Sequence, residues 1–284
     1  MTSSIAIVGM SCRFPEARNP GELWQNCLDG RRSFRAIPAS RLDLSAYSIE
    51  VAGIPDSIMP IRAGLLTDWQ FDRTNFRIPQ STFESTDLVH WLGLELAAET
   101  LTGVHGMAGL DRKRIAVVVA NTLTGEFSRA GLLRMRGPFL DGLIAEAAAG
   151  TGLGEESAGE LRSRFIALLR EKLPAPTEDS LAGGLANTIA GRIANYFDLG
   201  GGAYSVDGAC ASSLVAVADA ANLIVTEQAD AVLVGGCRSE PRSLRTRRLL
   251  PRWSLRKGRH AGVRREVEWL LARRRRGLHS AGSL

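Results

Sequence analysis

The sequence predicts an α/β fold: a mostly parallel sheet with helices on both faces. Three observations carry this. Four short runs, at 5–9, 114–121, 203–206 and 230–236, are largely apolar without strict polar alternation, as in strands buried on both sides. Stretches with helical spacing or small apolar residues separate them. Gly, Asn or Asp borders the runs, where turns are needed.

The first run, Ile5-Ala6-Ile7-Val8-Gly9, reads as a buried, parallel strand, with loop from Met10 to Pro20. Asn19-Pro20-Gly21-Glu22 then opens a helix through Leu28, with Pro just inside its start. Residues 30–80 read as an irregular surface excursion. Its aromatics Phe34, Tyr47, Trp69, Phe71 and Phe76 are expected to form small satellite clusters rather than a ligand site. Ser85-Thr86-Asp87 caps a helix to about Leu101, with Leu88, Trp91, Leu92 and Leu96 near helical spacing. His90 on that helix and His105 in a loop read as packing or surface residues.

Residues 127–178 read as a helical insertion, with Leu161, Phe165, Leu168 and Leu169 on one face and Pro174 and Pro176 as the stop. A further helix is expected over 181–197. The third strand leads into Asp207-Gly208-Ala209-Cys210. A helix of small and apolar residues suited to burial follows at 211–227, then the fourth strand.

Composition narrows the function classes. The 284 residues are 45% hydrophobic, enough for a substantial core, and no run of 18 apolar residues is present to span a membrane. The N-terminus lacks the basic n-region of a signal peptide. Cys12, Cys27, Cys210 and Cys237 show no C-x-x-C spacing and no disulfide framework, which suits a reducing cytoplasm. The net charge of +5 is uneven. Residues 237–284 hold 15 of the 35 Lys+Arg but 3 of the 30 Asp+Glu, so an acidic body carries a basic tail.

Cys210 is the candidate catalytic residue. A thiol between a strand and a helix N-terminus gains from the helix dipole and from backbone N–H groups without helical partners. Both favour thiolate, the nucleophilic form. Gly208, Ala209 and Ala211 leave the approach open, and nearby N–H groups suit an oxyanion hole.

Three stretches resemble a known family. Val206-Asp207-Gly208-Ala209-Cys210-Ala211-Ser212-Ser213-Leu214 is similar to the nucleophile signature of β-ketoacyl synthases. Ile5-Ala6-Ile7-Val8-Gly9-Met10-Ser11-Cys12-Arg13-Phe14-Pro15 resembles the N-terminal signature of type I polyketide ketosynthase domains. Ala229-Asp230-Ala231-Val232-Leu233-Val234-Gly235-Gly236 is similar to the strand after the nucleophile helix. Residues 121–130 and 181–192 resemble the enediyne-type iterative synthases.

The resemblance covers about residues 3–236. It implies the N-terminal half of a thiolase-like fold, a homodimer when complete, and decarboxylative Claisen condensation through an acyl-Cys210 thioester. It implies no cofactor bound by the domain, because acyl and malonyl thioesters arrive on the phosphopantetheine of acyl carrier protein.

The resemblance implies two histidines that assist decarboxylation, with a lysine supporting them, and the two histidine motifs are ones that this chain lacks. His260 and His279 have none of the surrounding pattern, so Cys210 alone is carried over as catalytic. The expected organisation is a ketosynthase N-terminal domain at 1–236 and an aberrant Arg-rich tail at 237–284, disordered or frame-shifted, outside the sheet. Only 263–271 in that tail has helical spacing. A basic arm for nucleic acid is the lesser reading of the tail, and a non-catalytic interaction module the alternative for the whole chain.

Overall fold

The computed structural model describes residues 4–38, 62–103, 109–121 and 125–237, together with the backbone of Val267–Arg274. In chain order the elements are β1 (Ile5–Arg13), α1 (Pro20–Leu28), β2 (Phe34–Ala36), β3 (Arg62–Gly64), α2 (Gln80–Glu84), α3 (Leu88–Thr102), β4 (Ile115–Ala120), α4 (Glu126–Met135), α5 (Gly137–Ala149), α6 (Glu155–Lys172), α7 (Glu178–Gly184), α8 (Asn187–Phe197), β5 (Ala203–Val206), α9 (Ser212–Val225), β6 (Ala231–Gly236) and β7 (Val267–Arg274). Tyr47, His105, His260 and His279 lie outside the described residues.

The main sheet runs β1-β7-β6-β4-β5. Its centre is parallel: β4 pairs in parallel with β5 and with β6. The side-chain alternation of β4 divides the core in two. Ile115, Val117 and Val119 point into one apolar cluster with α3 and α8. Ala116, Val118 and Ala120 point into the other, with α9. All six residues of β4 are buried, so the continuous apolar run marks a strand covered on both faces.

The α3–α8 face is the thicker. Gly93 of α3 lets α8 approach: a Cβ there would lie 3.5 Å from Ile189 Cγ2 and 3.2 Å from Cys237 Sγ. Trp91 stacks with Phe71 at 5.4 Å, and Phe71 with Phe76 at 4.8 Å. Trp69, Phe71 and Phe76 therefore belong to the main core instead of satellite clusters, because the segment before α2 folds back over α3. β1 is tied to α3 by polar groups. The Ser11 hydroxyl donates to Leu96 O at 2.8 Å, and Arg13 pairs with Glu95 at 3.0 Å and with Glu99 at 2.5 Å.

Four further expectations need correction. β1 extends to Arg13, and it is neither parallel nor buried throughout: it pairs antiparallel with β7, and Ile7 is 57% exposed. The apolar run of a strand is present, but a partner covers only part of it. The helix expected over 181–197 is two helices, α7 and α8, broken at Leu185 and Ala186. α9 buries only Ser212, Ala216, Ala220 and Ile224, so one stripe packs and the rest of an apolar helix faces outward.

The last correction concerns the tail. Val267–Arg274 forms β7, antiparallel to β1 on one side and to β6 on the other. A segment expected outside the sheet, with helical spacing over 263–271, thus joins β1 to the rest. The demand of two strands for backbone partners overrides the side-chain period here. Apart from Cys237 and β7, the tail lies outside the described residues.

Residues 127–178 hold α4, α5 and α6. Phe165, Leu168 and Leu169 are half-buried, and a Cβ at Gly137 of α5 would sit 3.7 Å from Leu169 Cδ2. Arg162 clamps the pair through Asp141 at 2.7 Å.

Candidate active site

Cys210 sits where β5 gives way to α9, near the C-terminal ends of the parallel strands β4, β5 and β6. The chain passes from β5 through Asp207 and Gly208 into a single 3₁₀ turn, Ala209–Ala211, and enters α9 at Ser212. Local hydrogen bonds fix this turn. Ala209 N–H donates to Asp207 Oδ1 at 3.0 Å, and Ala211 N–H to Gly208 O at 3.0 Å. Gly208 N–H donates to Ser212 Oγ at 2.9 Å, and the Ser212 hydroxyl donates to Ala209 O at 2.7 Å. Ser212 is buried, so its hydroxyl locks the turn from beneath.

One residue of the turn is strained. Ala209 has φ of 52° in the left-handed region, which costs a non-glycine residue roughly 1–2 kcal/mol. The backbone reversal at Ala209 coincides with an outward-facing thiol on the next residue: Cys210 is exposed, as are Gly208, Ala209, Ala211 and Ser213. Cys12 and Cys237 are buried, and Cys27 is the other exposed cysteine.

The platform under the turn is close-packed. A Cβ on Gly236, at the end of β6, would meet Ser213 Cβ at 3.4 Å and Ala120 Cβ at 3.6 Å. Asn121 N–H donates to Val206 O at 3.1 Å, and Cys237 N–H donates to Ala120 O at 2.9 Å. The Asn121 amide donates to Cys237 O at 2.7 Å. Asn121 thus joins the ends of β5 and β6 just before the cysteine-bearing turn, a role that its sequence context does not signal.

Asp87 is a second such residue. It caps α3 by position, yet its carboxylate serves α4: Gly125 N–H donates to it at 2.9 Å and Phe127 N–H at 2.8 Å, and the Ser128 hydroxyl also donates to it. Burial pushes its carboxyl above the usual range, against the lowering effect of these donors. The Ser-Thr-Asp triplet signals a cap, but which helix it caps is decided by tertiary contact.

His90 is the sole histidine among the described residues, and it is fully buried. Burial, with the Arg192 charge as a smaller cause, lowers its pKa to about 3, so the imidazole is neutral. It presents no surface to a substrate. No cluster of three or more metal-ligating side chains occurs among the described residues.

An α/β domain with a thiol on a tight strand-to-helix turn, beside the ends of parallel strands, has the layout of an enzyme with a covalent nucleophile. Similarity to known proteins makes the class specific. Residues 2–249 match the family described as β-ketoacyl synthase, N-terminal domain. The chain belongs to that family.

Among its relatives, one component of the phenolphthiocerol/phthiocerol polyketide synthase of Mycobacterium tuberculosis is 30% identical over 236 residues, 82% of this chain and 9% of that protein. A component of the polyunsaturated fatty acid synthase of a Thraustochytrium species is 27% identical over 83% of this chain and 8% of its own length. The chain thus spans less than a tenth of these two relatives. Among solved structures, an oxazolomycin ketosynthase domain from Streptomyces albus JA3453 is similar with a TM-score of 0.65 and 21% identity, over 96% of this chain and 42% of that one. A ketosynthase from module 6 of the Bacillus subtilis bacillaene synthase gives 0.55 and 22%, over 95% of this chain and 36% of that one. The fold is therefore the thiolase-like ketosynthase fold over its N-terminal half.

Proposed function

We propose that Cys210 is the acyl-accepting nucleophile of a β-ketoacyl synthase acting in polyketide or fatty acid biosynthesis. The observation that carries this reading is the exposed thiol on the strained turn at the N-terminus of α9, within a ketosynthase N-terminal domain. In the loading step the Cys210 sulfur attacks the carbonyl of an acyl thioester. A new S–C bond forms, the carrier S–C bond breaks, and the carrier thiol leaves with the proton. In condensation, malonyl thioester loses CO₂ and its carbanion attacks the acyl-enzyme carbonyl, which restores the cysteine thiolate.

The Ala209–Ala211 turn and the first N–H groups of α9 supply positive ends of dipoles beside the reacting carbonyl. The decarboxylation step in the family uses histidines in motifs that these 284 residues do not contain. This chain by itself therefore loads an acyl group without condensing it.

Acyl carrier protein is the expected donor of both thioesters, with phosphopantetheine as the arm and no cofactor held by the domain. A homodimer is the expected assembly; the edge strand β5, with Ala203 and Tyr204 exposed, and the outward apolar face of α9 support it. No helix among the described residues is long and apolar enough to cross a membrane. A cytoplasmic location and the absence of a nucleic-acid partner complete the reading. Residues 121–130 and 181–192 support an enediyne-type subgroup. The proposed division after Gly236 is a change of reading frame. Translating the DNA around codon 236 in all frames tests it: another frame with the two histidine motifs supports the division, and none refutes it.

The functional test uses an acyl N-acetylcysteamine thioester. The wild-type chain gains one acyl mass and Cys210→Ala gains none. Equal labelling of both removes the nucleophile assignment, and β-ketoacyl product formed by the wild-type chain alone removes the loading-only claim.

A further inference from the structure

From Asp207 to Val215 every residue is exposed except Ser212, which is buried at 6% relative exposure. Ser212 belongs to the stripe Ser212, Ala216, Ala220 and Ile224, the buried side of α9. Ala216, Ala220 and Ile224 pack in the apolar cluster of β4 and β6. The backbone of Ser212 is therefore held by the core, while its hydroxyl reaches the exposed turn that bears Cys210.

That hydroxyl grips the turn at two points. It accepts from Gly208 N–H at 2.9 Å and donates to Ala209 O at 2.7 Å. Ala209 O also accepts from Ser212 N–H. These bonds bracket the left-handed φ of 52° at Ala209, a conformation that persists in a non-glycine residue only where its surroundings impose it. The other ties of the turn run from Ala209 N–H to Asp207 Oδ1 and from Ala211 N–H to Gly208 O. Both join exposed residues, where water competes for donor and acceptor alike. Ser212 is thus the one link from the packed sheet to the strained turn that is anchored out of solvent.

We propose that Ser212 is a positioning residue for acyl transfer at Cys210. This rests on the reading of Cys210 as the acyl-accepting nucleophile. The Ser212 hydroxyl is engaged by the backbone, so it acts through the turn and not on the thioester. By holding Ala209 left-handed, it fixes the direction from which the thiol of the next residue meets a carbonyl. It also keeps the N–H groups of the turn in register with that carbonyl. Attack geometry is steeply sensitive to such placement, about 100-fold in rate for a shift of about 1 Å.

Two reactions of the same thiol, followed on the full chain by mass, test this. Acylation by an acyl N-acetylcysteamine thioester needs the carbonyl aligned with the thiol and the turn. Alkylation by iodoacetamide, a small free reagent, needs only an exposed thiol. In Ser212→Ala the maximal acylation rate of Cys210 should fall about ten-fold or more. The half-saturating thioester concentration and the alkylation rate should stay within about three-fold of wild type. Adding Ala209→Gly to Ser212→Ala should raise the acylation rate again, because glycine adopts a positive φ without strain. If Ser212→Ala does not fold, Ala209→Val replaces it. A β-branched residue at this exposed position opposes the left-handed φ and should give the same split between the two reactions. Wild-type acylation in either folded variant overturns the positioning role and leaves the nucleophile reading standing. Equal losses of acylation and alkylation overturn it too, as does a double variant no faster than Ser212→Ala. No acylation of wild-type Cys210 overturns the nucleophile reading and the positioning role with it.

Discussion

α3 and α9 are both apolar helices packed on the same sheet, one on each face, yet they are buried to very different extents. α3 buries ten of its fifteen residues, including Trp91, Leu94 and Leu96. α9 buries four of fourteen, in a single stripe spaced by four, and leaves Leu214 75% exposed with Val215, Val217 and Val225 partly so. An all-round apolar helix with one covered face is built for a second layer. The difference separates scaffold from candidate site: α3 with α8 supplies the buried core, and α9 follows directly on the exposed turn that bears the candidate nucleophile.

The comparison breaks if the two helices respond alike to truncation. Trp91→Ala removes a fully buried ring from the Phe71–Phe83–Arg192 cluster. It should cost about 3–5 kcal/mol of unfolding free energy. Leu214→Ser on α9 should change stability by no more than about 0.5 kcal/mol in the isolated chain. Urea denaturation of both reads the contrast. A loss of several kcal/mol for Leu214→Ser would show that the α9 face is already covered.

Acid should also act on the α3 side. The His90 pKa is lowered to about 3, below the ordinary 6.5. The unfolded chain therefore binds the proton first, and stability falls as pH drops below about 6.5, by about 1.4 kcal/mol per pH unit. The charged groups nearby are Arg192 of α8, which adds to the effect, and Asp87. Burial raises the carboxyls of Asp87 and Glu95, so they act in the opposite sense, nearer their own ordinary range. Denaturation between pH 5 and 7 isolates the histidine, and the slope should flatten in His90→Gln. An equal slope in that variant would place the acid sensitivity elsewhere.

The smallest effect belongs to the α9 side. Ala209→Gly relieves a left-handed φ of 52°. It should leave stability unchanged or raise it by up to about 1 kcal/mol, against the usual cost of a new glycine. A clear loss by thermal denaturation would show that the turn is not strained.

Much of this layout is legible in the sequence. The unbroken apolar runs at β4 and β6 mark strands buried on both faces, and Asn19-Pro20 fixes the start of α1, where Asn19 Oδ1 accepts from Glu22 N–H at 2.9 Å. The position of Cys210 between β5 and α9 follows from the same reading. What failed depended on long-range contact. The pattern of β1 does not reveal that its partner is the antiparallel β7, at the far end of the chain. The composition of α9 signals burial without saying what covers it. Asp87 looks like a cap for its own helix until α4 is packed beside it. Asn121 at a strand end carries no local signal that it bridges two neighbours.

The central claim concerns which thiol reacts. Cys210 and Cys27 are both exposed, while Cys12 and Cys237 are buried. Cys27 lies near the end of α1, and Cys210 lies on the tight turn before α9. Limited acylation with an acyl thioester, followed by peptide mapping, decides between position and mere accessibility. The account predicts the adduct on the Cys210 peptide, with Cys27 unmodified at single-site occupancy. Acylation shared equally between the two, or confined to Cys27, would contradict it.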